Sequence, residues 1–216
     1  LFDDDGNPVM ADDPKTKAAF EFVVKAMNTD KIVDPGSLTA DYETVANVFC
    51  TGGSAFILQA WPGVYALAND PESSSIVDQI AVADVAVHAK GEKQVVLTLP
   101  EAMAIPKTSK NKDAAWKYIE YMSSKEFDKQ RAETIGELPI WTDLFSDADL
   151  LAKYPYWKNF AGQIASSRGL PNLTWYDEYG NVLMTEVQKM LLGQISVEEG
   201  LKSIQEQCIA LKQENS

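Results

Sequence analysis

Apolar residues recur at helical spacing over most of this 216-residue chain. Ala19, Phe22, Val23, Ala26 and Met27 lie three or four apart and predict a first helix. Asp13 caps it and Pro14 occupies its first turn, where a missing N–H costs nothing. Ahead of it, LFDDDGNPV reads as a tight hairpin turned at Asp5-Gly6. Tyr42, Val45, Ala46, Phe49 and Cys50 predict a second helix, ended by Gly52-Gly53. The period then shortens. Ser54 to Gln59, with AFIL at its centre, reads as a buried strand emptying into Ala60-Trp61-Pro62-Gly63. Ile80 to Val87 reads as one or two strands, with a turn at Gly91.

The stretch from Val95 to Ser124 predicts strand, loop, short strand and capped helix. Val95, Val96, Leu97 and Leu99 form the first strand and Ala102 to Ile105 the second, which Pro106 stops. Ser109, Asn111 and Asp113 compete to cap a helix carrying Ala115, Tyr118, Ile119 and Met122. Beyond it the pattern is helical throughout. Ser123 and Glu126 pair as a capping box for a helix closed by Gly136. Trp157, Phe160, Ala161, Ile164 and Ala165 form one stripe; Tyr179, Val182, Leu183, Val187, Met190 and Leu191 form another, closed by Gly193. A second capping box, Ser196 with Glu199, opens a last helix on Val197, Leu201, Ile204, Cys208 and Leu211. Strands alternate with helices early and helices dominate late, which predicts an α/β fold.

A hydrophobic content of 45% allows a real core, and a net charge of -13 argues against nucleic acid or an anionic membrane as partner. No apolar run is long enough to span a bilayer. The chain does not open with Met or a signal sequence, so its first residue is expected to lie within a longer native product. Cys50 and Cys208 match no metal or redox spacing and sit on apolar stripes, which reads as two buried thiols, with a disulfide left open. Asp3, Asp5 and Asn7 resemble a calcium loop in spacing, but Pro14 stands where its distal Glu is needed. His88 is the only histidine, adjacent Asp177 and Glu178 cannot flank one glycosidic bond, and Gly52-Gly53 lacks a phosphate-loop spacing and lysine. No catalytic set, cofactor motif or metal motif is therefore assigned.

Four segments, FDDDGNPVMADDPKTKAAFEFV, VFCTGGSAFILQAWPGV, EAMAIPKTSKNKDAAWKYIEYMSSKEF and LPNLTWYDEYGNVLMTEVQKMLLGQISVEEGL, together resemble the extracellular solute-binding proteins of ABC importers. The resemblance is to the sugar-binding family that includes maltose-binding protein, and to its C-terminal part. It implies a two-lobed α/β fold of periplasmic-binding-protein type II, with the family's N-terminal portion lying before Leu1. Residues 1–91 and 147–216 would belong to the C-terminal lobe and 95–145 to a return segment of the N-terminal lobe. It further implies a sugar or oligosaccharide ligand held by hinge closure, delivery to ABC permease subunits, a monomer at full length, and a periplasmic or extracellular location, with a lipoprotein anchor also compatible.

A pyranose has apolar C–H faces and a rim of hydroxyls, so aromatic platforms and carboxylates recognise it together. Trp61 is expected at a strand's C-terminal end, where open α/β sheets bind ligands. Trp175, Tyr176 and Asp177 gather at a helix start, with free N–H groups. Glu101 is a candidate hydroxyl acceptor, and Trp141, after Leu138-Pro139, a further aromatic; Trp116, Trp157 and Tyr179 read as packing. The alternative is a carbohydrate-active enzyme, or its accessory carbohydrate-binding module, using the same aromatic surface.

Overall fold

A computed structural model describes residues 1–3, 5–58, 61–99 and 101–215. In chain order the helices are α1 (Pro14–Asn28), α2 (Tyr42–Cys50), α3 (Pro62–Ala68), α4 (Lys112–Met122), α5 (Lys125–Ile135), α6 (Ala148–Lys153), α7 (Trp157–Ala165), α8 (Tyr176–Leu191) and α9 (Val197–Glu214). Short 3-10 turns occupy Pro35–Leu38 and Thr142–Ser146. Two short strands, β1 (Val96–Leu97) and β2 (Ser167–Arg168), pair in parallel, Val96 opposite Ser167. The chain forms two compact units, one of residues 1–41 with 171–216 and one of residues 42–170. These boundaries differ from the lobe boundaries that the family resemblance implies.

The first unit is built on α8 and α9. Their apolar stripes, with Tyr179, Met190, Leu201, Ile204 and Cys208 buried, close over Met10 and Trp175. Helix α9 starts on the expected capping box: Ser196 Oγ accepts from Glu199 N–H and the Glu199 carboxylate accepts from Ser196 N–H at 2.8 Å. The two helices approach at a glycine. A Cβ on Gly200 would lie 2.5 Å from Met190 Sδ, so no larger residue fits without displacing a buried side chain. Polar ties join the first residues to α9. Gln205 accepts from Ala11 N–H and donates to Asp12, and Lys212 donates to Asn7 Oδ1.

The opening turn is a hairpin, with a Phe2–Pro8 bridge and Gly6 at φ +70°. Asp3 accepts from Asp5 N–H, Asn7 N–H and the Asn7 side chain, and these bonds hold its carboxyl below the usual range. Asp13 and Pro14 start α1 as predicted. The buried face of α1 is rotated from the expected stripe: Phe20, Val24, Ala26 and Met27 turn inward, whereas Ala19, Phe22 and Val23 are exposed. Spacing alone accommodates both faces, and packing on α8 and α9 selects one.

The second unit holds a smaller core of Ala132, Leu144, Leu150, Tyr156 and Trp157, with Tyr154 stacked on Trp157 at 4.8 Å. Helix α5 is capped by Ser124, which accepts from Phe127 N–H; Ser123, the expected cap, is instead the C-cap of α4. Gly136 closes α5 in the left-handed conformation. Most predicted strands do not form. Residues 54–58 are irregular and Phe56 is 85% exposed, while Gln59 and Ala60 lie outside the described residues. The stretches 80–87 and 102–105 are likewise irregular, and the strand expected at Val95–Leu99 shortens to two residues. A strand needs neighbours for its N–H and C=O groups, and apolar periodicity does not supply them. Cys50 and Cys208 are buried free thiols, as the stripes implied, and burial pushes the Cys208 thiol up to about 11.

Two outcomes are expected. Gly200→Ala should lower the urea midpoint with an unchanged m-value. Overpacking at Met190 outweighs the alanine's gain in helix propensity, for a net loss of about 1 kcal/mol. In alkali, burial raises the Tyr156 and Tyr179 hydroxyls from 10.0 to about 12. Because the folded values lie above the unfolded ones, their stabilisation is complete below about pH 10 and is lost as pH rises toward about 12. Denaturant titrations at stepped pH should show that decline, and Y156F with Y179F should flatten it.

Candidate functional site

An exposed aromatic pair stands out in the 42–170 unit. Trp61 is the N-cap residue of α3, held at φ -84° and ψ 158° ahead of Pro62, and its side chain makes no capping bond. The indole lies back over the first turn of α3, because a Cβ on Gly63 would come within 3.0 Å of Trp61 Nε1. Trp61 is 37% exposed, and Tyr42 meets it edge to face at 5.5 Å and 85°. Tyr42 is itself 72% exposed. The Trp-Pro-Gly segment thus makes a helix start, where the expectation was a loop after a strand. Tyr42 was assigned to a buried stripe; its place at the first residue of α2 leaves it free to face outward. An exposed edge-to-face pair offers apolar area beside a hydroxyl, which suits a polyhydroxylated ligand.

Trp141 is an aromatic of a different kind. Its N–H and that of Ile140 donate to Asp128 Oδ2 at 3.1 and 2.8 Å, and its Nε1–H donates to Ser123 O at 3.0 Å. Asp128 is 1% exposed and also takes Arg131 Nη2 at 3.0 Å. One buried carboxylate therefore anchors the 136–141 loop to α5 while leaving half of the Trp141 ring exposed. Asp128 was not singled out in sequence, since KEFDKQRAE reads as a solvated helix face. Glu101 is exposed, and Pro100 beside it lies outside the described residues.

In the other unit, Trp175 is 5% exposed and both Phe2 and Tyr179 pack against its ring, at 6.1 and 6.4 Å. Tyr176 is half-buried against Tyr179 at 5.8 Å, and Asp177 is exposed in the first turn of α8, where a negative charge suits the helix dipole. The structure brings Trp175 and Tyr176 together around Tyr179, and it brings Trp61 to Tyr42.

An open hollow of about 660 Å³ is lined by Lys125, Lys129, Glu133, Asp143, Leu144 and Asp147, among others. Its lysines are paired with its carboxylates. Lys129 donates to Asp147 at 2.8 Å and Lys125 pairs with Asp143. The Lys129 bond holds the Asp147 carboxyl below its usual range, helped by backbone bonds from the start of α6. Among the described residues, no group of three or more His, Cys, Asp or Glu is placed to hold a metal ion, and no helix is long and apolar enough to cross a membrane.

Against known folds, the chain is similar to maltose-bound MalE3 of T. maritima (TM-score 0.81, 23% identity) across 98% of its own length and 54% of that protein's. It is similar to a ribitol-bound ABC transporter solute-binding protein of Agrobacterium radiobacter K84 (TM-score 0.82, 24% identity), covering 98% of this chain and 53% of that one. A D-mannitol-bound solute-binding protein of Agrobacterium vitis S4 (TM-score 0.73, 20% identity) matches 99% of this chain and 54% of its own. The α/β fold is therefore the type II periplasmic-binding-protein fold, represented in part. A family model of bacterial extracellular solute-binding proteins matches residues 1–129, and the chain belongs to that family. A probable ABC transporter-binding protein of Deinococcus radiodurans is 24% identical over 213 residues, which is 97% of this chain and 49% of the relative. The chain spans about half the length of the relatives it matches.

Replacing Asp128 with alanine leaves the Ile140 and Trp141 N–H groups without their acceptor and removes a charge partner of Arg131. The expected cost is about 3 kcal/mol, read as a lower denaturation midpoint, with faster amide exchange at Ile140 and Trp141.

Proposed function

We propose that the whole-length protein is the substrate-binding component of an ABC importer. It captures a sugar, an oligosaccharide or a related polyol and delivers it to permease subunits from the periplasmic or extracellular side. The observation that carries this reading is the exposed Trp61–Tyr42 pair in a member of the extracellular solute-binding family. Support for the ligand class comes from the maltose, ribitol and D-mannitol bound to the three similar structures. The aromatic pair covers the apolar face of the ligand, and Glu101, Asp177, Tyr176 and Trp141 are the further candidates for hydroxyl and ring contacts. Trp175 keeps the start of α8 in place from inside its core and supports Tyr176 from there. Closure of two lobes on the ligand follows from its higher affinity for the closed state. The protein binds and releases its ligand unchanged, with no catalytic step.

Calorimetric titration of the whole-length protein with maltose, ribitol and D-mannitol tests the reading. Saturable heat is expected with at least one of them, and Trp61→Ala should weaken that binding about tenfold or more, equivalent to ~1.4 kcal/mol. Glycoside turnover that disappears in Glu101→Gln would sink it in favour of a carbohydrate-active enzyme.

A further inference from the structure

Glycine weakens a helix, so a glycine inside one has a use when its backbone or a close neighbour requires it. Gly63 lies within α3 and is not among the positive-φ glycines, so its backbone makes no such demand. A neighbouring side chain does. A Cβ at this position would lie 3.0 Å from Trp61 Nε1 and 3.2 Å from Trp61 Cδ1, tighter than such atoms pack. The Cδ1–Nε1 edge of the indole therefore rests where a side chain would otherwise stand.

Trp61 is restrained from two other sides. Pro62 confines the residue before it to extended backbone, here at φ -84° and ψ 158°. Tyr42 stands at 85° to the indole, with centroids 5.5 Å apart. Helix α3 itself has no room to retreat from an added methyl group. Val64 and Ala68 are buried, and Tyr65 packs on Tyr156 at 3.8 Å. The indole is exposed and free to yield. An alanine at position 63 thus tilts the ring while the helix stays in place, and the methyl group favours the helix.

We propose that Gly63 is a positioning residue for solute recognition, resting on the reading of Trp61 as a ligand contact. Its bare backbone sets the tilt of the indole, and with it the plane on which the C–H face of a polyhydroxylated solute stacks. A tilted ring meets that face along an edge and loses contact area, because dispersion attraction falls within fractions of an ångström. Gly63 touches no solute; it acts through Trp61.

Calorimetry of the whole-length protein with maltose, ribitol and D-mannitol, in a double-mutant cycle of Gly63→Ala and Trp61→Ala, tests it. Gly63→Ala alone should weaken binding about fivefold, with a urea midpoint equal to or above that of the unsubstituted protein. In the Trp61→Ala background the same substitution should leave affinity unchanged. Fluorine NMR of fluorotryptophan-labelled protein reads the ring without ligand. The resonance absent from Trp61→Phe should move in Gly63→Ala while the others stay. An unmoved resonance overturns the proposal, as does an equal loss of affinity in the Trp61→Ala background. Full affinity in Gly63→Ala beside weakened binding in Trp61→Ala overturns it too, and leaves the transport reading standing. Full affinity in Trp61→Ala, or no heat from any of the three solutes, overturns both.

Discussion

Every apolar stripe in this chain needs a partner surface, and meeting or missing that need divides the molecule into packed cores and open faces. Where partners lie within the chain, packing is close. The last two helices meet at Gly200 against Met190, and the opening hairpin and α1 complete the same core around Met10. Where no described residue supplies the partner, regular structure is short. Strand β1 keeps two residues, the AFIL stretch stays irregular, and α4 carries its aromatic rings in the open. Helices tolerate this because their hydrogen bonds are internal, whereas strands lose theirs with their neighbours. The helical appearance of an α/β fold follows from that difference.

The same need sorts the aromatic residues into roles. Trp157 is buried in one core and Trp175 in the other, and each has little surface left to offer a ligand. Trp61 has no core to enter. Pro62 and Gly63 start a helix beside it, its ring lies on the glycine, and Tyr42 meets its edge. Trp141 lies between these cases, with its N–H groups tied to Asp128 and Ser123 and its ring half-exposed. Exposure and restraint together make an aromatic useful for recognition, since a ring already held in place loses little entropy when a ligand stacks on it. Trp61 meets both conditions through its backbone position.

What could be read from the residues alone was local. The Asp13-Pro14 start of α1, the Ser196–Glu199 capping box, the Gly136 terminus and the Asp5-Gly6 turn each depend on chemistry within four residues, and the structure has all of them. The family was legible for a related reason, because its strand-to-helix turn and final helix pair are contiguous segments. Other features depend on residues distant in sequence. The buried face of α1 was set by α8 and α9, and the pairing of Tyr42 with Trp61 by the packing of α2 on α3. Asp128 was illegible because the backbone N–H groups it accepts from stand 12 and 13 residues away, in a loop whose path only the fold defines. By itself the sequence determined which segments turn, cap and coil, because those energies are local. Only the tertiary structure decided which apolar faces are covered, because burial is a property of pairs of surfaces.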